Sequence, residues 1–386
     1  MAPRGKILLL HLAGRYPLGG IGWQALHHLI ALRTLGWDVW YVEDSGCAPY
    51  DPRSQSIVAD CAANVAFLAD TLERFGFGGR WAYFDLGREE WHGLPAEAVP
   101  RLYGEADALL NLCGATGLRE EHLACPVRIH VETDPVYPQV RLLAGDPATR
   151  AELEAHTHYF TYGENLGQPD CAVPAGDLCG RPTRPPVVVD LWADSGPPGE
   201  KLTTVATWRN TGKDVVLRGQ SYCWSKHVNF LRFVSLPRET SQLFELALGN
   251  LDLEAAELLR RNGWLLADPY EHSRDVEAFR RYVHGSRGEF TVAKDLVART
   301  NSGWFSDRSV CYLAAGRPVI TQETGFGKFV PVGEGLFSFT TADEAIAAVE
   351  TVRHDYARHS RAAQEIAREY FGAERILASL LAECGL

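Results

Sequence analysis

One N-terminal segment constrains the fold more than any other part of the sequence: KILLLHLAGRYPLGGIGWQALHHLIALRTLGWDVWYVED. Its first apolar run has the length of a buried strand and ends at Gly14 and Pro17. A helix is predicted over residues 22–35, Gly36 ends it, and DVWYVE is a second predicted strand. A strand–helix–strand unit of this length favours a right-handed parallel crossover. A ligand site is then expected at the carboxyl end of the first strand.

The turn YPLGGIG indicates how a ligand would approach that site. Small residues let a ligand or another loop come close to the backbone, and a helix N-terminus offers unpaired N–H groups to an anion. The turn lacks the third glycine of G-x-G-x-x-G, and the sequence contains no G-x-x-x-x-G-K-[ST]. Neither a dinucleotide fingerprint nor a P-loop is therefore present. A turn that only packs a helix onto a sheet remains the alternative.

Composition and charge narrow the class of protein. The chain has 386 residues, of which 46% are hydrophobic and 23% charged, which is ordinary for a globular protein with two cores. The formal net charge of −11 argues against nucleic acid or an anionic membrane as the main partner. The first apolar run is too short to span a bilayer, and no signal peptide is predicted. We therefore expect a cytoplasmic protein.

The cysteines and histidines predict no metal site. The nine cysteines are scattered and none forms C-x-x-C, which favours reduced thiols over a disulfide framework. His156 and His158 have spacing that suits a metal on a strand, but no third ligand lies near them in the sequence.

The order of apolar runs and breakers predicts two units. Runs of strand length alternate with helical patterns in the first half, which indicates an α/β domain on a buried parallel sheet. Prolines and glycines dominate from Gln168 to Gly199, and we place the boundary near residues 193–199. In the second half we predict a strand at VNFLRFVSL and a helix over residues 239–248.

The segment SDRSVCYLAAGRPVITQ carries the clearest candidate anion site. Ser306, Asp307 or Ser309 can cap a helix whose N–H groups and dipole attract an anion. Arg308 adds fixed charge beside that helix start, and Lys294 lies within reach in some folds. We predict a diphosphate site here. The alternative is that Asp307 and Arg308 only pair with each other at a helix cap.

A glycine-bearing loop, QETGFGKF, follows the next predicted strand. Glu323 and Thr324 are candidates to hydrogen-bond sugar hydroxyls, and Gly325 lets the backbone approach a ligand closely. The alternative is a plain turn between a strand and a helix.

These motifs resemble those of GT-B glycosyltransferases over nearly the whole chain. The stretch YPLGGIGWQALHHLIALRTLGWDVWYVED resembles the opening of that class, in which a Gly-Gly loop, here Gly19 and Gly20, faces the donor phosphates. SDRSVCYLAAGRPVITQETGF resembles the donor-site helix and the strand after it, and stretches such as VETDPVYPQVRL and FTYGENLGQPDC resemble a bacterial branch of the class.

The resemblance implies an architecture and an activity. It implies two facing Rossmann-like domains, an acceptor domain over residues 1–192 and a donor domain over 193–355, with helices over 356–386 crossing back to the first domain. It further implies transfer of a sugar from a nucleoside-diphosphate sugar to an acceptor, which we expect to be a small molecule, without a metal or other cofactor. The oligomeric state is left open.

One departure from the class affects the mechanism. Many retaining members carry two glutamates separated by seven residues, and the corresponding positions here are Gly303 and Cys311. Either Asp307 or Glu323 has taken over the acidic role, or the mechanism differs from theirs. The sequence leaves inverting and retaining transfer both open.

An inverting transfer needs a base that removes the acceptor proton. Asp134, which follows the predicted strand RIHV and precedes Pro135, is the first candidate, and Glu164 and His11 follow. Each has a structural alternative: a turn former, a loop cap and a buried core histidine respectively. A nucleotide-sugar epimerase of the same fold, a nucleotide-sugar-binding protein without turnover and an NAD-linked oxidoreductase also remain open.

Overall fold

The computed structural model describes residues 3–386, which form two mainly parallel sheets flanked by helices. This confirms the predicted α/β fold class. The first sheet has the order β10-β9-β8-β7-β1-β2-β5-β6, and only β5 and β6 pair antiparallel within it. A small hairpin, β3–β4, lies outside it. The strands are β1 (Lys6–Leu10), β2 (Asp38–Glu43), β3 (Tyr50–Asp51), β4 (Ser56–Ile57), β5 (Trp81–Asp85), β6 (Glu90–Gly93), β7 (Ala108–Leu112), β8 (Val127–Glu132), β9 (His158–Thr161) and β10 (Arg181–Pro182).

Six helices accompany the first sheet within the described residues: α1 (Gly19–Thr34), α2 (Ala62–Arg74), α3 (Ala98–Glu105), α4 (Glu120–Leu123), α5 (Tyr137–Leu143) and α6 (Pro147–Glu154). Helix α1 starts at Gly19, three residues before the predicted start, and the chain turns away from it at Gly36, whose φ is 91°. That left-handed conformation suits glycine, so Gly36 ends the helix as its sequence position predicts.

The second sheet is parallel throughout and has the order β15-β14-β11-β16-β17-β18. A hairpin, β12–β13, lies outside it. The strands are β11 (Lys201–Thr207), β12 (Val215–Leu217), β13 (Gln220–Tyr222), β14 (Leu243–Gly249), β15 (Leu265–Ala267), β16 (Gly288–Thr291), β17 (Val319–Gln322) and β18 (Leu336–Phe339). The helices are α7 (His227–Arg232), α8 (Leu253–Arg261), α9 (Pro269–Ser273), α10 (Val276–His284), α11 (Asp295–Arg299), α12 (Asp307–Ala314), α13 (Ala342–His354), α14 (Tyr356–Phe371) and α15 (Ala373–Glu383).

Two predicted elements of the second half are wrong. The segment VNFLRFVSL contains α7 rather than a strand, and residues 239–248 contribute to strand β14 rather than to a helix. Asn229 and Phe230 in α7 and Phe233 directly after it are buried at helical spacing, whereas in β14 Phe244 and Leu246 alternate toward the core. Short apolar runs satisfy both periodicities, and tertiary packing decides between them.

The topology places a ligand site in each half. The chain runs outward through β1, β2 and β5 and then returns to β7 beside β1; in the second sheet it runs through β11, β14 and β15 and returns to β16 beside β11. The strand order therefore reverses between β1 and β7, and between β11 and β16. In open α/β sheets, ligands bind outside the carboxyl ends of the strands at such points.

Helix α1 joins the two halves. The Trp23 indole donates a hydrogen bond to the carbonyl oxygen of Val276 in α10 at 2.8 Å. A Cβ on Gly19 would lie 2.3 Å from the carbonyl oxygen of Asp275, and one on Gly22 would lie 2.7 Å from a methyl of Val276. Glycine at these positions therefore permits the close approach of the two helices.

The C-terminal helices connect both halves, as the fold prediction expects. Helix α14 packs on α12, and α15 packs on α1 of the first half. Leu377, Leu380 and Leu381 of α15 belong to the first-half core. Among residues 3–386, the helices lack the combination of length and apolar character needed to cross a membrane.

Candidate functional site

A continuous cleft lies between the carboxyl edges of the two sheets. A cavity of about 440 Å³ is lined mainly by the second half, and an adjoining cavity of about 820 Å³ mainly by the first half. Ile21, Gln24 and Trp224 line both cavities. We call them the second-half cavity and the first-half cavity. Together they occupy the two sites that the strand orders indicate.

The start of α12 reaches the second-half cavity. Ser306 caps the helix by accepting a hydrogen bond from the Arg308 N–H at 3.3 Å, and Ser306, Asp307 and Arg308 all line the cavity. Burial raises the pKa of Asp307 to about 6. Ser309 is fully buried behind them and does not line the cavity.

Arg308 is held by the sheet rather than by its neighbour Asp307. Its guanidinium donates to the fully buried Glu289 at 2.5 Å, to Thr291 Oγ1 at 3.0 Å and to the carbonyl oxygen of Val205 at 3.0 Å. The alternative of a local Asp307–Arg308 pair is therefore wrong. These contacts fix the orientation of the guanidinium, while Glu289 balances its charge.

Lys226 is the cation that sequence reasoning missed. It precedes α7, lines the second-half cavity and is 6% exposed. Within residues 3–386 no carboxylate lies within 4.0 Å of its ammonium group. Burial, followed by the positive charge of Arg308, lowers its pKa well below the ordinary value. A buried ammonium without a partner is costly, and a bound anion would relieve that cost.

Asp134 and Lys294 form an ion pair across the cleft. Lys294 Nζ lies 2.7 Å from Asp134 Oδ2, and the Trp224 indole donates to the same oxygen at 2.6 Å. Burial alone would raise the pKa of Asp134, but the Lys294 ammonium holds it below the ordinary value. Burial lowers the pKa of Lys294, and Asp134 opposes that shift. The pairing with Lys294 thus keeps Asp134 ionised.

The other two candidate bases occupy different environments. His11 lines the first-half cavity, its Nε2 lies 2.9 Å from Gln24 Oε1, and burial lowers its pKa to about 4. Glu164 pairs with Arg184 at 2.7 Å and lines neither cavity. The structure therefore brings Asp134 and His11 to the cleft and leaves Glu164 in a structural ion pair.

Glu132 is a first-half carboxylate that sequence reasoning missed. It ends β8, two residues before Asp134, and lines the first-half cavity. Thr161 donates a hydrogen bond to it at 2.6 Å and Gln139 donates at 2.8 Å. Burial raises its pKa to about 7 despite these donors. A carboxyl group with such a pKa can accept or donate a proton near neutral pH.

The glycine-bearing loop after β17 closes on itself. Glu323 Oε1 accepts hydrogen bonds from the N–H groups of Thr324 at 3.0 Å and Gly325 at 2.7 Å, and Thr324 donates to the Trp304 carbonyl oxygen. None of the three residues lines either cavity. The structure therefore supports the plain turn rather than the predicted sugar contacts.

Of the two glycines in the first turn, only one lines a cavity. Gly20 lines the second-half cavity, while Gly19 packs against Asp275 and does not line it. Cys311, at one of the positions where retaining members carry glutamate, lines the cavity with a thiol 3.8 Å from His27 Nε2. Asp307 is the nearby carboxylate that faces this cavity.

Solved structures of known proteins share the fold of the whole chain. An α-glucosyltransferase in complex with UDP and DNA covers 100% of both chains with a TM-score of 0.58 and 10% identity. AviGT4, a glycosyltransferase involved in avilamycin A biosynthesis, covers 99% of this chain and 97% of its own, with a TM-score of 0.56 and 14% identity. The chain has the GT-B fold. HepE from Anabaena in complex with UDP-glucose covers 98% of this chain and 100% of its own, with a TM-score of 0.53 and 13% identity.

Comparison of the sequence alone identifies no relative. No protein-family model matches the GT-B chain described here, and no curated protein matches its sequence. The structural likeness confirms the resemblance at the level of the fold.

The comparisons correct one prediction about partners. The α-glucosyltransferase with this GT-B fold is in complex with DNA in more than one structure, including DNA that contains an abasic site. The prediction that nucleic acid is excluded is therefore wrong. The net charge of a whole chain says little about a cleft, and here the cleft holds Lys226, Lys294 and Arg308 despite a net charge of −11.

Proposed function

We propose that the protein is a glycosyltransferase that uses a UDP-sugar as donor. The observation that carries this proposal is the buried side chain of Lys226, which has no carboxylate partner, in the second-half cavity beside Arg308 and the start of α12. A diphosphate supplies the anionic partner that Lys226 lacks in this cavity. The UDP and UDP-glucose in complexes with proteins of the same fold support the choice of nucleotide.

The second half is assigned to the donor and the first half to the acceptor. The α12 N-terminus, Arg308 and Lys226 hold the diphosphate and stabilise the charge of the departing UDP. Because these groups supply positive charge at the leaving group, the proposed transfer uses no metal or cofactor beyond the donor itself. The first-half cavity, at about 820 Å³, suits an acceptor of small-molecule size.

The base is proposed to be Asp134, released by donor binding. A diphosphate in the second-half cavity competes with Asp134 for Lys294, since both are anions within reach of one ammonium group. Release of Asp134 frees a carboxylate that faces the first-half cavity. Glu132 lines the same cavity, and burial raises its pKa to about 7, so it is a second group that can exchange a proton with the acceptor side of the cleft near neutral pH.

Donor turnover tests the proposed function. Purified protein is incubated with UDP-glucose and other UDP-sugars, and UDP release and the sugar are followed separately. Release of UDP with transfer of the sugar to an acceptor or to water is the expected result. Conversion of the UDP-sugar into its epimer without UDP release would establish the epimerase instead. Binding of UDP-sugars without any turnover, in the presence of a broad acceptor panel, would contradict catalysis.

A further inference from the structure

The β5–β6 hairpin gathers potential metal ligands on one face. Asp85 pairs directly with Glu90 across the hairpin, and Tyr83 pairs with His92. Side chains of directly opposed residues and of residues two apart share one face of an antiparallel pair. Asp85, Glu90 and His92 therefore project to the same side.

Cys61 approaches this face from the start of α2. Its Sγ lies 3.9 Å from His92 Nε2, and Asp85 Oδ2 also lies 3.9 Å from that nitrogen. The ligand atoms of Cys61, Asp85 and His92 all lie within 4.8 Å of one another. Tetrahedral zinc with bonds of about 2.0–2.3 Å separates its ligand atoms by about 3.3–3.8 Å. Cys61 and Asp85 each need to approach the His92 nitrogen by only a few tenths of an ångström to reach that geometry.

Asp85 is oriented as a metal ligand would be. Its Oδ1 accepts the backbone N–H of Gly87 at 2.8 Å, which leaves Oδ2 directed toward His92 and the Arg88 guanidinium at 3.9 and 3.6 Å. Both distances are longer than a hydrogen bond. Asp85 is 3% exposed and Cys61 is 1% exposed, so the donor atoms lie at the base of a shielded site. Hydrogen bonds that fix a ligating carboxylate are a common feature of metal sites.

The mixture of donors identifies the class of ion. A thiolate, an imidazole and a carboxylate together suit Zn²⁺, whereas Mg²⁺ and Ca²⁺ prefer oxygen ligands alone. We propose that Cys61, Asp85 and His92 bind one Zn²⁺ ion, with Glu90 or water in the fourth position. Glu90 Oε1 lies 3.7 Å from His92 Nε2 and its side chain is exposed and free to turn inward. Binding converts the Cys61 thiol into a thiolate and releases its proton to solvent.

The site would fix the loop that precedes α2. That loop, residues 44–61, carries Tyr50, Pro52 and Gln55, which line the second-half cavity. Gln55 also accepts a hydrogen bond from the Asn250 N–H in the second half at 2.7 Å. Zinc at Cys61 ties the far end of this loop to the β5–β6 hairpin, so the ion supports one wall of the cleft.

Titration of the full-length, metal-free protein with Co²⁺ and then Zn²⁺ tests this site without any activity assay. Cobalt bound to a thiolate produces a sulfur-to-metal charge-transfer band, which Zn²⁺ abolishes by displacement. We expect the band of the wild type to saturate at one equivalent of Co²⁺, and we expect no band in Cys61→Ser. His92→Ala is expected to weaken Co²⁺ binding by about tenfold or more. The matched controls are Cys179→Ser, which removes an exposed thiol, and His158→Ala, which removes a histidine on β9, separated from β5 by four strands of the sheet. Both should bind Co²⁺ as the wild type does.

A second readout keeps the test decisive if Cys61→Ser folds poorly. His92 is only partly buried, so His92→Ala should unfold at the wild-type temperature in the presence of a chelator. At equal concentrations, Zn²⁺ is expected to raise the unfolding temperature of the wild type more than that of His92→Ala. Absence of the cobalt band in the wild type, or an equal band and an equal zinc shift in His92→Ala, would overturn the proposal.

Discussion

Lys226 and Glu132 are buried, ionisable residues on opposite sides of the cleft. Lys226 has no carboxylate partner within residues 3–386, and one oxygen of Glu132, Oε1, accepts no hydrogen bond there. Groups in such environments are costly for folding and cluster at functional sites. Their positions divide the proposed work of the cleft, with anion binding in the second half and proton transfer in the first.

Asp134→Asn should separate proton transfer from donor binding. The variant loses the proposed base, so we expect the transfer rate to fall by about 10²- to 10⁴-fold. It also leaves Lys294 without its carboxylate partner, so KM for the UDP-sugar should stay unchanged or fall. Steady-state kinetics measure both quantities. Asp170→Asn, which removes the surface partner of Lys328, serves as the control, and an unchanged kcat in Asp134→Asn would contradict the assigned base.

Glu132→Gln should change how stability depends on pH. Burial raises the pKa of Glu132 in the folded protein to about 7, whereas its ordinary pKa is 4.5. Between pH 4.5 and about pH 7, unfolding of the wild type therefore releases a proton. The free energy of unfolding therefore falls as pH rises through that window, and glutamine removes this contribution. As pH rises through this window, we expect the free energy of unfolding of Glu132→Gln to increase relative to that of the wild type by roughly 2–3 kcal/mol. Urea unfolding of both proteins at each end of the window checks this, and parallel pH dependences would refute it.

The residues of the site were predictable only where a motif marked them. Asp134, Lys294 and Arg308 follow strands or open a helix, so pattern alone indicated the cleft. Lys226 stands at the start of a short helix that resembles a strand in sequence, which hid it. Glu323 had the right composition for a sugar contact, but its carboxylate instead closes its own turn.

At the scale of elements, α1 shows what periodicity predicts and what it omits. The helix was predicted from its apolar spacing. That spacing did not reveal that Gly19 and Gly22 are needed because α10 of the other half packs closely against them. Gly19→Ala places a methyl 2.3 Å from the Asp275 carbonyl oxygen, so α1 and α10 must move apart. We expect a loss of about 1–3 kcal/mol in the free energy of unfolding.

Chemical denaturation of Gly19→Ala and of a matched control checks this. Gly104 lies in α3 with no atom near the position of an added Cβ, so Gly104→Ala should be neutral or stabilising by up to about 1 kcal/mol. Equal stabilities of the two variants would show that the α1–α10 contact contributes nothing.

The elements that sequence reasoning missed depend on distant partners. Strand β14 lies between β11 and β15, and this central position overrides a sequence that also suits a helix. The proposed zinc ligands also depend on residues that are distant in the sequence. The register of the β5–β6 hairpin brings Asp85 and His92 together, and the packing of α2 adds Cys61. No spacing rule along the chain reveals such a cluster.

At the scale of the whole molecule, alternation of strands and helices was sufficient to predict two parallel sheets. The cleft between them could not be predicted in detail, because it depends on the α1–α10 contact and on α14 and α15 linking the halves. The acidic chain nevertheless concentrates Lys226, Lys294 and Arg308 in that cleft. Net charge and local charge therefore point to different partners.

Calorimetric titration with UDP tests the central claim most directly. Lys226→Met removes from the cleft the buried amine that has no carboxylate partner, whereas Lys201→Met removes a lysine from the opposite, amino-terminal end of β11. We predict that UDP binds the wild type and Lys201→Met equally and binds Lys226→Met about 10- to 100-fold more weakly, as expected for loss of a charge-assisted hydrogen bond. Equal UDP affinity in Lys226→Met and the wild type, or no binding to the wild type, would contradict the account.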